Sequence, residues 1–353
     1  MDGWTDAGHP ETGWPLVYHD PMDTIEHTPQ FDHPYARLTP DLILGALEAQ
    51  GFRCDGHLLA LNSYENRVYQ IGIEDAQPVI AKFYRPARWP REAILEEHRF
   101  AQQLAEQEIP VVAPLRNESG ATLHEHEGFG FAVYRRCGGR WPDLATPEDR
   151  RQMGRFLGRI HALGASDRFR HRPVLDIESL GDASRSYLLD EGLIPDYLIE
   201  AYSSLTDDLL HRIRTRFESV SPAGIRLHGD CHPGNVLWTD RGPHFVDLDD
   251  ARTGPPVQDL WMLLSGDSEE MRPQLIDLLE GYETFHHFDE ASVILIEALR
   301  TLRLMHYSAW IARRWSDPAF PIAFPWFDSP RYWEEHILTL REQAAALDQP
   351  PLL

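Results

Sequence analysis

Three apolar runs in the first third of the chain constrain its fold more than any other feature: "HLLALN" from His57, "RVYQIGI" from Arg67 and "VIAKFY" from Val79. They are rich in Val, Ile and aromatic residues, which suit a pleated, half-buried surface, and only "SYEN" and "EDAQP" separate them. Turns this short join antiparallel neighbours, so the runs predict a meander. Thr39 and Pro40 mark the cap and first position of a short helix before the sheet. Pro90 opens a second helix, "REAILEEHRFAQQLAEQE", whose Ala93, Ile94, Ala101 and Leu104 share a stripe. "FGFAVYRRCGG" reads as a further strand running into glycines.

After Gly139 the pattern turns helical. "TPEDRRQMGRFLGRIHALG" has a Thr146 cap, a Pro147 start and a Gly164 stop, with Met153, Phe156, Leu157, Ile160 and Leu163 on its buried face. Short strands around "RLH", "VLW" and "HFVDL" interrupt the helices, which resume in "VQDLWMLL" and "ASVILIEALRTLRLMHYSAWIARRW". The predicted fold class is α+β in two lobes. Residues 37–136 form a small antiparallel-sheet lobe and residues 137–353 a larger, mainly helical one. Residues 1–36 are rich in Pro, Gly, Asp and His without periodicity and read as a mobile extension.

Composition limits the partners. A net charge of −23 argues against binding nucleic-acid phosphates or an anionic membrane surface. The three cysteines (Cys54, Cys137 and Cys231) are far apart and indicate neither a disulfide framework nor a zinc knuckle. No segment has the apolar length of a membrane span, and the acidic, Pro-rich start is unlike a signal peptide. A cytoplasmic protein is expected.

Four polar features interrupt this apolar framework. Lys82 lies inside the third run; a lysine fixed by a sheet makes a placed point charge for phosphate oxygens, although a sheet-edge lysine reaching to water looks the same. Glu97 falls in the apolar stripe of the following helix and needs a cation, for which Lys82 is the candidate; Glu96 is its rival. "RLHGDCHPGNVLW" carries Asp230 and Asn235 with four residues between them. Protein kinases use the same Asp-x-x-x-x-Asn spacing, the Asp meeting the acceptor hydroxyl and the Asn a Mg²⁺ ion; turn chemistry is the plainer explanation of the fragment alone. Asp247 ends the strand "HFVDL", with Asp249 and Asp250 beside it. Three carboxylates so close repel one another, and a hard cation would relieve them. Strand lysine, helix glutamate, Asp-x4-Asn loop and strand-end aspartate, in that order, point to phosphate transfer.

With those residues in view, the chain resembles the superfamily of aminoglycoside, choline and homoserine kinases, and more closely the bacterial stress response kinase A group. The likeness rests on "LNSYENRVYQ", "VIAKFYRPARW", "ILEEHRFA", "RLHGDCHPGNVLW", "FVDLDDARTGPPVQDLWMLL" and "RRWSDPAFPIAFPW". It implies a two-lobed, protein-kinase-like fold and a cytoplasmic Ser/Thr protein kinase of the stress response, using ATP and Mg²⁺. By the same resemblance Asp230 accepts the proton, Asn235 and Asp247 hold Mg²⁺, and Lys82 with Glu97 anchors phosphate. Ser63 lies in the ATP-contacting loop, and Arg135 to Cys137 form the hinge that meets adenine. The implied partners are proteins presenting Ser or Thr, the chain itself being a monomer and a phosphoprotein. A small hydroxylated acceptor and a nucleotide-binding pseudokinase scaffold are the alternatives.

Two departures stand out. No G-x-G-x-x-G precedes Lys82, where Asn62, Ser63 and Asn66 offer polar groups instead, and Asp-Leu-Asp replaces Asp-Phe-Gly. A metal hydrolase built on His228, Asp230, His232 and Asp247 is disfavoured, since two histidines in a Gly/Pro loop do not share a helix face. There is neither a G-x-S-x-G elbow nor a Walker loop. The aromatic stretch "DPAFPIAFPWFDSPRYW" reads as a packed connector rather than a cleft lining.

Overall fold

The computed structural model describes residues 33–240 and 242–353. Most of the expected N-terminal extension therefore lies outside the described residues. Tyr35, which the sequence places in that extension, packs into the small lobe's core, and its hydroxyl donates to the carbonyls of Glu65 and Phe83.

The helix α1 (Pro40–Glu48) begins where Thr39 accepts the amide of Leu42. The three apolar runs form β1 (Cys54–Leu61), β2 (Arg67–Ile73) and β3 (Val79–Phe83), followed by α2 (Arg91–Glu106). Two further strands, β4 (His124–His126) and β5 (Phe129–Arg135), complete a five-stranded antiparallel sheet in the order β1-β2-β3-β5-β4. In this register Lys82 of β3 stands between Val68 and Ala132, in the middle of the sheet rather than at an edge.

Helices dominate the rest of the chain. First come α3 (Pro147–Ala165), α4 (Ala183–Asp190) and α5 (Asp196–Val220). Next are the short strands β6 (Ile225–Leu227), β7 (Val236–Thr239), β8 (Gly242–Phe245) and β9 (Arg252–Gly254), paired as β6–β9 and β7–β8. The chain ends with α6 (Val257–Trp261), α7 (Ser268–Tyr282), α8 (Ile296–Ala312), α9 (Ala319–Ala323) and α10 (Pro330–Leu347). The helix expected from "ASVILIEALR" starts later than its pattern suggests. Asp289 accepts the amide of Ser292 three residues on, so residues 290–295 wind as a tighter 3-10 turn before α8.

A buried ionic seam closes the lobes against each other. Asp317, 1% exposed, meets Arg67 at 3.2 Å and Arg85 at 2.9 Å. Glu65, in the turn between β1 and β2, accepts the indole N–H of Trp310 at 2.6 Å and meets Arg314 at 2.7 Å. The aromatic stretch packs beneath this seam, with Phe320, Phe324, Phe327 and Trp333 buried and the Phe324 ring 5.1 Å from that of Tyr64. It is a packed connector, as its composition suggests. Because Asp317 neutralises two arginines away from water, Asp317→Ala should destabilise the protein by about 3 kcal/mol. Urea unfolding measures this, and a loss below about 0.5 kcal/mol would mean that the seam contributes nothing.

Candidate active site

The catalytic-loop candidate, residues 228–235, is held by main-chain bonds to fixed partners. Asp259 of α6 is fully buried and accepts the amides of His228 at 2.9 Å and Gly229 at 2.8 Å. Its carboxylate also meets the ring of His161, which in turn contacts the Tyr282 hydroxyl. Gly229 has φ +84°, and a Cβ there would run into the Asp250 carbonyl, so this crossing requires glycine. Asn235 donates its side-chain N–H to the carbonyl of Asp230 at 2.9 Å, and its own carbonyl accepts the amide of Val246 at 3.0 Å. That last bond continues the β7–β8 ladder and sets Asp247 beside the loop.

Asp247 adopts left-handed backbone angles, φ 58° and ψ 63°, uncommon for a residue with a side chain. The turn aims its carboxylate across the lobe boundary, 2.9 Å from the Lys82 ammonium. Asp249 lies 3.2 Å from the same ammonium and Glu97 3.9 Å. Burial disfavours the charge on Lys82, but Asp247, Asp249 and Glu97 more than offset it and hold its pKa well above the ordinary lysine value. Glu97 is pushed the other way: burial raises its carboxyl pKa to about 7, against the pull of Lys82 and with help from Asp249.

The structure thus brings Lys82, Glu97 and Asp247 together, and Asp230 with Asn235 beside them. Glu96 does different work: it accepts the amides of Arg170, His171 and Arg172, tying α2 to the helical lobe. Ser63 stands in the β1–β2 turn and donates its hydroxyl to the Asn66 carbonyl. Asn66 is buried, its side chain donating to Asp249 and accepting from the amide of Arg85. Arg135 ends β5, and Cys137 lies in the connection whose Arg140 pairs with Trp238 of β7.

The acidic knot finds its counter-charges within the protein. Asp249 meets Arg88 as well as Lys82, and Asp250 meets Arg88 and Arg252, each at 3.0 Å. Repulsion among these carboxylates therefore does not by itself call for a metal. The donor set still fits a hard divalent cation. Asp247 is 54% exposed, and with its nitrogen committed to Asp230, Asn235 has its amide oxygen left to offer.

Sequence reasoning missed Arg303. From α8 its guanidinium donates to Oδ1 of Asp230 at 2.5 Å, while Asn235 at 3.3 Å and His232 at 3.5 Å face Oδ2. Burial alone would raise the Asp230 pKa, but Arg303, His232 and His228 hold it well below the usual carboxylate range.

A sheet-borne lysine, a tethered Asp-x4-Asn loop and a hairpin-end aspartate meeting between two lobes define a phosphotransferase. The chain belongs to the phosphotransferase enzyme family, whose model matches residues 57–296. It is a kinase by its relatives. It is 48% identical to stress response kinase A of Escherichia coli (strain K12), over 90% of this chain and 96% of that one. It is 46% identical to the serine/threonine protein kinase RdoA of Salmonella typhimurium, with the same coverage of both chains. In fold it matches amicoumacin kinase hAmiN, solved with AMP-PNP, Ca²⁺ and Ami, with a TM-score of 0.65 at 18% identity over 85% of this chain and 94% of that one.

The loop's dependence on Asp259 is directly measurable. Asp259→Ala leaves two buried amides unpartnered, and their hydrogen exchange should accelerate on the order of 10²-fold, equivalent to about 2.7 kcal/mol of lost protection. Unchanged exchange at His228 and Gly229 would show that the loop holds its shape without Asp259.

Proposed function

We propose that this chain is a cytoplasmic, ATP- and Mg²⁺-dependent kinase that phosphorylates Ser or Thr hydroxyls of proteins in a stress response. One observation carries the reading: Asp247, on the hairpin that also fixes Asn235 and hence Asp230, reaches across the lobes to Lys82 at 2.9 Å. Cation, metal-ligand candidates and the carboxylate for the acceptor hydroxyl thus converge at one lobe junction, and a nucleoside triphosphate bound there would bring its phosphates to that convergence. The names of the relatives support a protein acceptor.

In the transfer, the acceptor oxygen bonds to the γ-phosphorus, the bond from that phosphorus to the β–γ bridging oxygen breaks, and ADP leaves with the electron pair. Asp230 accepts the hydroxyl's hydrogen bond and takes its proton as the new bond forms. A carboxylate held ionised orients the hydroxyl well and keeps the proton only briefly, which suits a loose transition state in which positioning dominates. Lys82 anchors phosphate oxygens, and Glu97 keeps its ammonium inside the sheet. A divalent ion held by Asp247 and Asn235 would supply the remaining positive charge for the phosphates.

Asp230→Asn should retain nucleotide binding and lower turnover on the order of 10²–10⁴-fold; a wild-type rate would remove Asp230 from the mechanism. Asp247→Ala should weaken Mg-ATP binding at least about tenfold more than metal-free ATP binding, and calorimetric titrations showing equal losses would exclude metal ligation. The reading as a whole is tested with γ-labelled ATP and Mg²⁺, offering a protein substrate and, separately, choline, homoserine and an aminoglycoside. Label in protein is expected, and label confined to a small molecule would replace it with the small-molecule alternative.

A further inference from the structure

Asp230 presents a lone pair at a defined angle only if its carboxylate is held in one plane, because the terminal torsion of an aspartate is broad and roughly two-fold. Arg303 holds one edge, donating to Oδ1 at 2.5 Å. The other edge is held less tightly. The side-chain amide of Asn235 lies 3.3 Å from Oδ2 and also donates to the Asp230 carbonyl at 2.9 Å. The remaining neighbour of Oδ2 is Nε2 of His232, at 3.5 Å.

The His232 ring is itself locked. It caps the 3-10 turn Pro233–Asn235, and its Nδ1 accepts the amide of Gly234 at 3.0 Å. A main-chain N–H can only donate, so in the neutral ring the proton lies on Nε2, the atom that faces Asp230. Gly234 makes room for this pose, since a Cβ there would stand 2.7 Å from Cε1 of the ring. Pro233 fixes the φ of the turn's first residue. Ser, Thr, Asp or Asn would cap such a turn with one short side chain. A histidine does the same with one nitrogen and carries a second on toward the carboxylate.

We propose that His232 is a positioning residue of the phosphate transfer: its Nε2–H holds Oδ2 of Asp230 while Arg303 holds Oδ1, and the two set the plane in which the carboxylate meets the acceptor hydroxyl. The inference rests on the reading of Asp230 as proton acceptor and holds for a protein or a small-molecule acceptor alike. A contact of 3.5 Å is long for a hydrogen bond. Catalytic hydrogen bonds commonly tighten when substrate binds, and this one shortens as the hydroxyl docks. The hydroxyl's proton passes to Asp230, and the ring keeps its own on Nε2.

Two conservative variants separate the two ring nitrogens. Gln puts a donor near the place of Nε2, and Asn an acceptor near that of Nδ1. The ring is 39% exposed, so replacing it opens no cavity in the core. Turnover of the full-length protein is followed with γ-labelled ATP and Mg²⁺ as label passed to water and to dephosphorylated casein, and nucleotide affinity by calorimetry. His232→Ala should lower kcat on the order of 10–10²-fold, as a misplacement near 1 Å does, with nucleotide affinity retained. His232→Gln should recover most of that loss and His232→Asn little of it. On an Asp230→Asn background, His232→Ala should bring no further loss, because both act through one group. With Asp230→Asn impaired, three results overturn the inference and leave the role of Asp230 intact: recovery by Asn rather than Gln, a wild-type kcat in His232→Ala, or a further loss in the double variant. Nitrogen NMR of the ring is a readout independent of turnover; the Nε2–H tautomer is expected, and the Nδ1–H tautomer overturns the inference. A wild-type rate in Asp230→Asn, or a wild type that passes label to neither acceptor, overturns the reading of Asp230 and the inference with it.

Discussion

The whole arrangement depends on keeping one ammonium charged inside a sheet. Lys82 is 6% exposed, and an unpaired charge at such a position would neutralise itself or unfold its surroundings. It stays charged because α2 supplies Glu97 from its own lobe while the turn at residues 247–249 supplies two carboxylates from the other. Both lobes therefore contribute to its neutralisation, the nearer carboxylates coming from the helical one. The pairing also creates a second problem, since Asp249 is itself buried; Arg88 completes its neutralisation and Asn66 donates a hydrogen bond to it. Arg172 adds a bond to the Asp249 carbonyl and stacks its guanidinium 4.4 Å from the Trp89 ring. The ion network is therefore a chain of obligations running from β3 through the acidic turn into both lobes.

The loop that stands where a glycine-rich phosphate loop would lie is stabilised in an unusual way. A glycine loop owes its shape to a backbone with few steric limits; here Tyr64, Glu65 and Asn66 are bulkier and polar, and they are anchored from outside. Glu65 is fixed by Trp310 and Arg314, Asn66 by Asp249 and the Arg85 amide, and Tyr64 packs on Phe324. The helical lobe thus determines the shape of a loop that belongs to the sheet lobe. The loop's shape therefore depends on contacts made with both lobes.

Much of the architecture was legible because its signals are local. The three apolar runs became β1 to β3, and the Thr39 and Thr146 caps start α1 and α3. Lys82 and Glu97 could be found because a charge inside an apolar run is an anomaly that folding must resolve. Asp259 in "VQDLW" was not singled out from the sequence: its partners are backbone amides about thirty residues away and leave no pattern. β4 is "HEH", three polar residues that become a strand only by pairing with β5. Arg303 looks like any arginine on a helix surface until tertiary structure sets it 73 positions from its partner. The acidic knot misled for the same reason: its counter-ions Arg88 and Arg252 cannot be matched to it by spacing.

The central claim is that the side chains at 82, 230, 235 and 247 surround the phosphates of a single nucleotide. A crystal structure with a non-hydrolysable ATP analogue and Mn²⁺ tests it most directly, because the anomalous signal of manganese marks the metal independently of the model of the ligand. The account predicts one analogue between the lobes, its phosphates within contact of the Lys82 ammonium, the anomalous peak on Asp247 and Asn235, and the terminal phosphate facing Asp230. An analogue bound elsewhere, or a manganese peak away from both of those ligands, would contradict it.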